Sequence, residues 1–122
     1  MAIDQDGCVT AAVAAGMTPA VALFRSLGDE TRLRIVARLA AGEARVVDLT
    51  SELGLAQSTV SKHLACLRDC GLVDSRPQGR ASLFSLTHPE ATMRLLSAAE
   101  DLLGLTGDAV ALCPVYGVEA QG

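Results

Sequence analysis

Two adjacent stretches decide how this chain folds: Val47-Asp48-Leu49-Thr50-Ser51-Glu52-Leu53-Gly54-Leu55 and, directly after Ala56, Gln57-Ser58-Thr59-Val60-Ser61-Lys62-His63-Leu64. Leu49 with Leu53, and Val60 with Leu64, have the spacing that stacks side chains on one face of an α-helix. Gly54 supplies the turn between them. Two short helices joined in this way form a helix-turn-helix, with those four apolar residues holding the pair together. The second helix then exposes Gln57, Ser58, Thr59, Ser61, Lys62 and His63 near its start. Such short, donor-rich side chains suit base edges in a major groove, while Lys62 and the helix start suit phosphate.

Outward from this unit the pattern stays helical on one side and changes on the other. Past Gly71, Leu72-Val73 and Leu83-Phe84-Ser85-Leu86 read as two short strands, and Arg76-Pro77-Gln78-Gly79-Arg80 as the hairpin tip between them. That hairpin is a wing, with Arg76 and Arg80 flanking its turn. Upstream, Asp29 caps a helix from Glu30 to Ala41, with Leu33, Ile35, Val36 and Leu39 on its inner side. Before it, a helix starts after Thr18 with Pro19 at its first position, runs to Leu27 and stops at Gly28. Pro89 opens a last helix to Leu105, in which Met93, Leu95, Leu96, Leu102 and Leu103 are available for packing. The reading is an α+β fold, mostly α: a flexible segment 1–17, a winged helix-turn-helix domain 18–105 and a tail 106–122.

Composition fits one small domain. The chain has 122 residues, half of them apolar, and its aromatics are confined to Phe24, Phe84 and Tyr116, so a core of Leu, Val, Ala and Ile is expected. The net charge of −4 looks wrong for a nucleic-acid binder, but its distribution is uneven. From Arg32 to Arg80 there are eight Lys/Arg against five Asp/Glu, and elsewhere two against nine. A locally basic surface can meet phosphate while the acidic remainder limits non-specific sticking. No basic, apolar leader precedes Ala11, and no long apolar run spans a membrane, so the cytoplasm is the expected compartment and the four cysteines are expected as thiols.

Cys66 and Cys70 stand one helical turn apart after the base-reading residues, which stacks both thiols on one helix face. A pair so placed can share a soft metal ion if a third donor arrives from elsewhere. It can equally be two buried cysteines acting as small apolar residues. His63 beside Lys62 reads as a surface or phosphate contact, and His88 as a neighbour of the helix start at Pro89.

Leu27-Gly28-Asp29-Glu30-Thr31-Arg32-Leu33-Arg34-Ile35, Ser58 to Leu64, and Leu67 to Val73 with the Gly79-Arg80 wing together resemble the ArsR/SmtB family of metal-sensing repressors, over residues 20–105. The resemblance implies a homodimer joined through the first and last helices, bound to palindromic operator DNA and released by an inducer. One subgroup carries Cys-Val-Cys where this chain has Glu43-Ala44-Arg45-Val46-Val47-Asp48, so that site is absent. A second binds zinc, cobalt or nickel on the last helix, where this chain offers His88, Glu90, Glu100 and Asp101 without a second His. A third, the cadmium/lead sensors, has His-Leu-x-Cys-Leu-Arg-x-Cys-Gly and a further tail cysteine. His63 to Gly71 matches it, which implies Cys66, Cys70 and Cys113 as ligands for cadmium or lead, with arsenite an alternative ion and no organic cofactor.

Three sulfur donors select thiophilic ions over magnesium, calcium or manganese. The same cysteines also suit a thiol-oxidation or persulfide sensor. An enzyme using His63 and Cys66 lacks an orienting third group and a phosphate-binding loop. A protein-binding module using the hairpin is the remaining alternative.

Overall fold

A computed structural model describes residues 11–112, with only the backbone for 11–15, so Cys8, Cys113 and Tyr116 lie outside the described residues. The elements run α1 (Ala11–Leu27), α2 (Glu30–Leu39), β1 (Ala44–Arg45), α3 (Val46–Leu53), α4 (Gln57–Asp69), β2 (Val73–Gln78), β3 (Ala81–Leu86) and α5 (Pro89–Leu105).

Local chemistry sets the helix ends. Asp29 Oδ2 accepts the Arg32 backbone N–H at 3.0 Å and caps α2 as expected. At the start of α3 the bond runs the other way: Asp48, in the first turn, reaches back and accepts the N–H of the N-cap residue Arg45 at 3.0 Å. α4 ends in a Schellman motif: the Leu72 N–H reaches the Leu67 carbonyl at 3.0 Å and the Gly71 N–H reaches Arg68 at 2.9 Å. That closure puts Gly71 at a φ of +77°, a backbone region that favours glycine.

The core is aliphatic, as composition requires. Ile35, Val36 and Leu39 of α2 meet Leu49 of α3, Val60, Leu64 and Leu67 of α4, Val73, Phe84 and Leu86 of the sheet, and Leu96 of α5. Val60, Leu67, Ile35 and Leu49 are fully removed from water. Leu33, expected inside with its neighbours on α2, is only half-buried against this cluster.

Several element boundaries differ from the sequence reading, among them the end of α2, which falls at Leu39 with Ala40 as its C-cap rather than at Ala41. α1 begins at Ala11 rather than after Thr18, so Pro19 lies inside the helix and not in its first turn. The Ala-rich run before Pro19 has the strongest helix propensity and carries the helix across the proline. α4, expected to run from Gln57 to Gly71, ends at Asp69, with Cys70 as its C-cap, still in right-handed helical geometry. The hairpin strands are longer than expected and pair from Val73 with Leu86 to Gln78 with Ala81, leaving Gly79-Arg80 as the turn. Arg76 and Pro77 are therefore strand residues. Proline is tolerated there because β2 is an edge strand in the order β1-β3-β2. β1 is the unexpected third strand, pairing Ala44 with Phe84 and Arg45 with Leu83.

Leu64→Ala removes a side chain that is only 1% exposed at the centre of this cluster. Urea unfolding followed by circular dichroism should show a loss of about 2–5 kcal/mol. A loss below about 1 kcal/mol would mean that the core closes over the gap.

Asp29 also makes stability depend on pH. The Arg32 backbone N–H, with help from the charges on His63 and Arg32, holds the Asp29 carboxyl below its ordinary value of 3.8. A depressed folded pKa means stability that is present above that ordinary value and lost as pH falls through the folded one. Asp29→Ala should therefore lower Tm at neutral pH, and the difference from the parent chain should vanish in strong acid. A Tm gap that persists unchanged at pH about 2 would mean that the carboxylate charge is not its source.

Candidate DNA interface and thiol pair

At about 100° per residue, the side chains of α4 divide into three sectors. Val60, Leu64 and Leu67 form the buried stripe. Roughly opposite lie Ser58 and Lys62, with Ser61 beside them, all exposed. One flank, about a quarter turn from the stripe, carries Thr59, His63, Cys66 and Cys70.

The exposed sector has the features of a surface that meets a polyanion. Gln57 and Ser58 open the helix in water, and the N-cap position is Ala56, whose side chain makes no cap hydrogen bond. The first backbone N–H groups of a helix have no partner within it, and here no N-cap side chain takes one. Thr59 is half-buried, so it is less available than its neighbours.

The wing arginines differ from each other. Arg76 makes a two-pronged ion pair with Glu43 at 3.1 and 3.2 Å, which raises its pKa further. Arg80 sits exposed in the turn at the hairpin tip. Elsewhere in the basic region, Arg38 pairs with Glu52 and Arg45 with Asp48. Among the described residues neither Lys62 nor Arg80 has a carboxylate partner. Arg68, later on α4, and Arg34 of α2 are likewise exposed without one: Arg68 bonds the Ser75 hydroxyl at 3.4 Å and Arg34 the Leu53 carbonyl at 3.3 Å.

The flank faces the junction between α1 and α2. His63, expected as a groove contact, has a side chain only 17% exposed. Its Nδ1 lies 3.3 Å from the Arg32 guanidinium and 3.9 Å from Asp29. The same guanidinium donates to the Ser26 carbonyl at 2.7 Å and to the Arg25 carbonyl at 3.2 Å. Cys66 is half-buried and Cys70 exposed, both as free thiols. The Cys70 N–H bonds to the Cys66 carbonyl at 3.2 Å, which fixes them one turn apart. Cys70 Sγ lies 2.7 Å from the hydroxyl oxygen of Ser26, a residue only 4% exposed. Ser26, Arg32 and Glu43 were not legible as site residues, because their partners lie 44, 31 and 33 positions away in sequence.

Among the described residues no cluster of three or more His, Cys, Asp or Glu stands ready to hold a metal ion. A third donor for Cys66 and Cys70 would have to come from outside them. The last described residues return beside α5: the Asp108 N–H bonds to the Leu103 carbonyl at 2.8 Å, and the Leu112 N–H bonds to the Glu100 carboxylate. His88 is the N-cap residue of α5, without a side-chain cap bond. No helix among the described residues is long and apolar enough to cross a membrane.

Comparison with known proteins agrees with this architecture. Residues 29–75 match the bacterial regulatory proteins of the arsR family. Over 86 residues, 70% of this chain and 73% of the relative, the chain is 37% identical to the HTH-type transcriptional regulator CmtR of Mycobacterium tuberculosis. Over 61 residues, 49% of this chain and 52% of the relative, it is 48% identical to the arsenical resistance operon repressor of Escherichia coli. The NMR structure of the cadmium metal-sensor CMTR from Mycobacterium tuberculosis superposes with a TM-score of 0.54 and 40% identity, covering 62% of this chain and 78% of that one. With its winged helix-turn-helix, its basic wing tip and these relatives, the chain belongs to the bacterial ArsR family of DNA-binding transcriptional regulators.

Proposed function

We propose that the protein is a homodimeric, cytoplasmic, non-enzymatic repressor that binds operator DNA and lets go when cadmium or lead is held by Cys66, Cys70 and Cys113. One observation carries this reading: the thiol pair lies on the same helix that displays Gln57, Ser58, Ser61 and Lys62, on a different sector of it. A ligand on the flank can therefore tilt or shift the base-reading sector without covering it.

The roles divide by position. Gln57, Ser58 and Ser61 read base edges, with Thr59 at the margin. Lys62 and Arg80 neutralise phosphate, and Arg76 joins them when Glu43 gives it up. His63 supports the helix from behind. The dimer is supported by exposed apolar side chains on the outer helices: Met17, Val21 and Phe24 form one stripe on α1, and Leu102 and Leu105 stand out on α5. Phe24 is 61% and Leu105 86% exposed in the single chain, a poor situation for large apolar groups in water.

The donor chemistry favours soft ions. Two thiols one turn apart, completed by a third from the tail, offer only sulfur, and sulfur selects thiophilic metals. When bound, such an ion supplies a bond to each sulfur and so a fixed distance between the recognition helix and the tail. The relatives support the same class: one similar protein is named a cadmium sensor and another an arsenical resistance repressor. Ligation requires deprotonated thiols, so metal affinity should fall as pH is lowered. A coupling of about 1–3 kcal/mol between ion and operator would change DNA affinity from several-fold to about a hundredfold, and DNA must weaken ion binding by the same factor.

Fluorescence anisotropy with DNA from upstream of the protein's own gene, under reducing conditions, tests both halves. Lys62→Ala and Arg80→Ala should each weaken binding evenly across sequences and reduce the salt slope by about 1. An unchanged slope would remove that residue from the phosphate contacts.

Cys66→Ser and Cys70→Ser should leave operator affinity within about two-fold while abolishing release by cadmium or lead, a loss of the coupling above. Normal release in either variant would remove that cysteine from the site. Release by peroxide or polysulfide without any metal would transfer the same cysteines to thiol oxidation.

A further inference from the structure

Resting on the thiol-site reading above, one contact assigns a role to a residue outside the proposed ligand set. We propose that Ser26 of α1 is the positioning residue of the Cys70 sulfur, fixing its direction and tying its state to α1 and, through Arg32, to the middle of the recognition helix.

Three observations carry it. Ser26 is a buried hydroxyl, 4% exposed, and its oxygen lies 2.7 Å from Cys70 Sγ. A buried polar group needs a partner, and losing one leaves it unpaired. The Ser26 backbone is held at its other end, because Arg32 Nε donates to the Ser26 carbonyl at 2.7 Å. Arg32 NH1 then reaches His63 Nδ1 at 3.3 Å, and His63 is on the same flank of α4 as Cys70. The contacts close a ring that leaves α4 at Cys70, crosses α1 and α2, and returns to α4 two turns earlier.

The thiol site is therefore wired into the packing of three helices. A hydroxyl can keep its hydrogen bond to a sulfur that also bonds a metal, because the sulfur has further lone pairs. Outer partners of this kind orient a ligand, and removing one commonly costs tenfold to a hundredfold in metal affinity. Any change at Cys70 moves the anchor of the last turn of α1. Threonine retains the hydroxyl and alanine deletes it, so the pair separates the hydrogen bond from the bulk of the side chain.

The test compares Ser26→Ala and Ser26→Thr with the parent full-length protein, after melting curves confirm that each is folded. In metal-free, reduced protein, iodoacetamide alkylation is read residue by residue by mass spectrometry, with Cys66 as the internal reference. Freed from Ser26, Cys70 should react several-fold faster relative to Cys66 in Ser26→Ala and near the parent rate in Ser26→Thr. Cadmium alone is then titrated against a chromophoric chelator, following the ultraviolet sulfur-to-metal band. Its affinity should drop about tenfold or more in Ser26→Ala and recover in Ser26→Thr. An unchanged alkylation ratio in Ser26→Ala, or an unchanged cadmium affinity in a parent protein that binds the ion, overturns the assignment. If the parent binds no cadmium, the metal reading falls on its own, and the alkylation ratio alone decides the role of Ser26.

Discussion

Val60, Leu64 and Leu67 must all be out of water at once, and that requirement fixes the rotation of α4 about its own axis. Everything else on the helix follows from it. With the stripe turned inward against Ile35, Val36 and Leu49, the sector with Ser58 and Lys62 has to face outward, and the flank with His63, Cys66 and Cys70 has to face the α1–α2 junction. Burial of three aliphatic side chains, each worth roughly 1.5–3 kcal/mol, is strong enough to hold this orientation against the small surface contacts around it. The proposed DNA-reading sector and the thiol pair share a helix without sharing a surface.

Charge acts on a weaker scale and settles a different question. The region from Arg32 to Arg80 is basic, yet Arg38, Arg45 and Arg76 each lie against a carboxylate. Exposed pairs of this kind contribute little to stability, about 0–1 kcal/mol. Their effect is selective: they offset three cations and leave Lys62 and the wing-tip Arg80 among those without a carboxylate partner. That lets a chain of net charge −4 present positive charge where a duplex would lie and repel it elsewhere.

The legible parts of this fold are those specified by near neighbours. The helix-turn-helix came from residues three and four apart plus Gly54, and the capped start of α2 from Asp29. The wing was legible in kind but short in extent, because Pro77 and Gly79 mark a turn locally while pairing with β3 carries the strand through Gln78. β1, two residues long, has no periodicity to detect. At α1 the start signal of Thr18-Pro19 was overridden by the helix propensity of the alanines before it. The thiol pair was visible as a spacing, but its surroundings were not. His63 reads as a surface residue beside Lys62, and only the fold brings Asp29 and Arg32 against it.

The two faces of α1 bear on how a thiol event can act at a distance. Met17, Val21 and Phe24 lie along one side of this helix, and at about 100° per residue Ser26 falls on the opposite side. The first face is exposed and apolar, and the second is buried against Cys70. α1 therefore stands between the thiol pair and the surface best suited to a second copy of the chain. A dimer reads two half-sites about 34 Å apart, and a small rotation of one subunit moves the far end of its recognition helix out of the groove. On the proposed reading, pressure on Ser26 would reach that geometry through a single helix, leaving the proposed base-reading sector of α4 chemically untouched. Repression and response would then vary independently, because the residues proposed to meet DNA and those proposed to report on the thiols share only α4 and its packing against its neighbours.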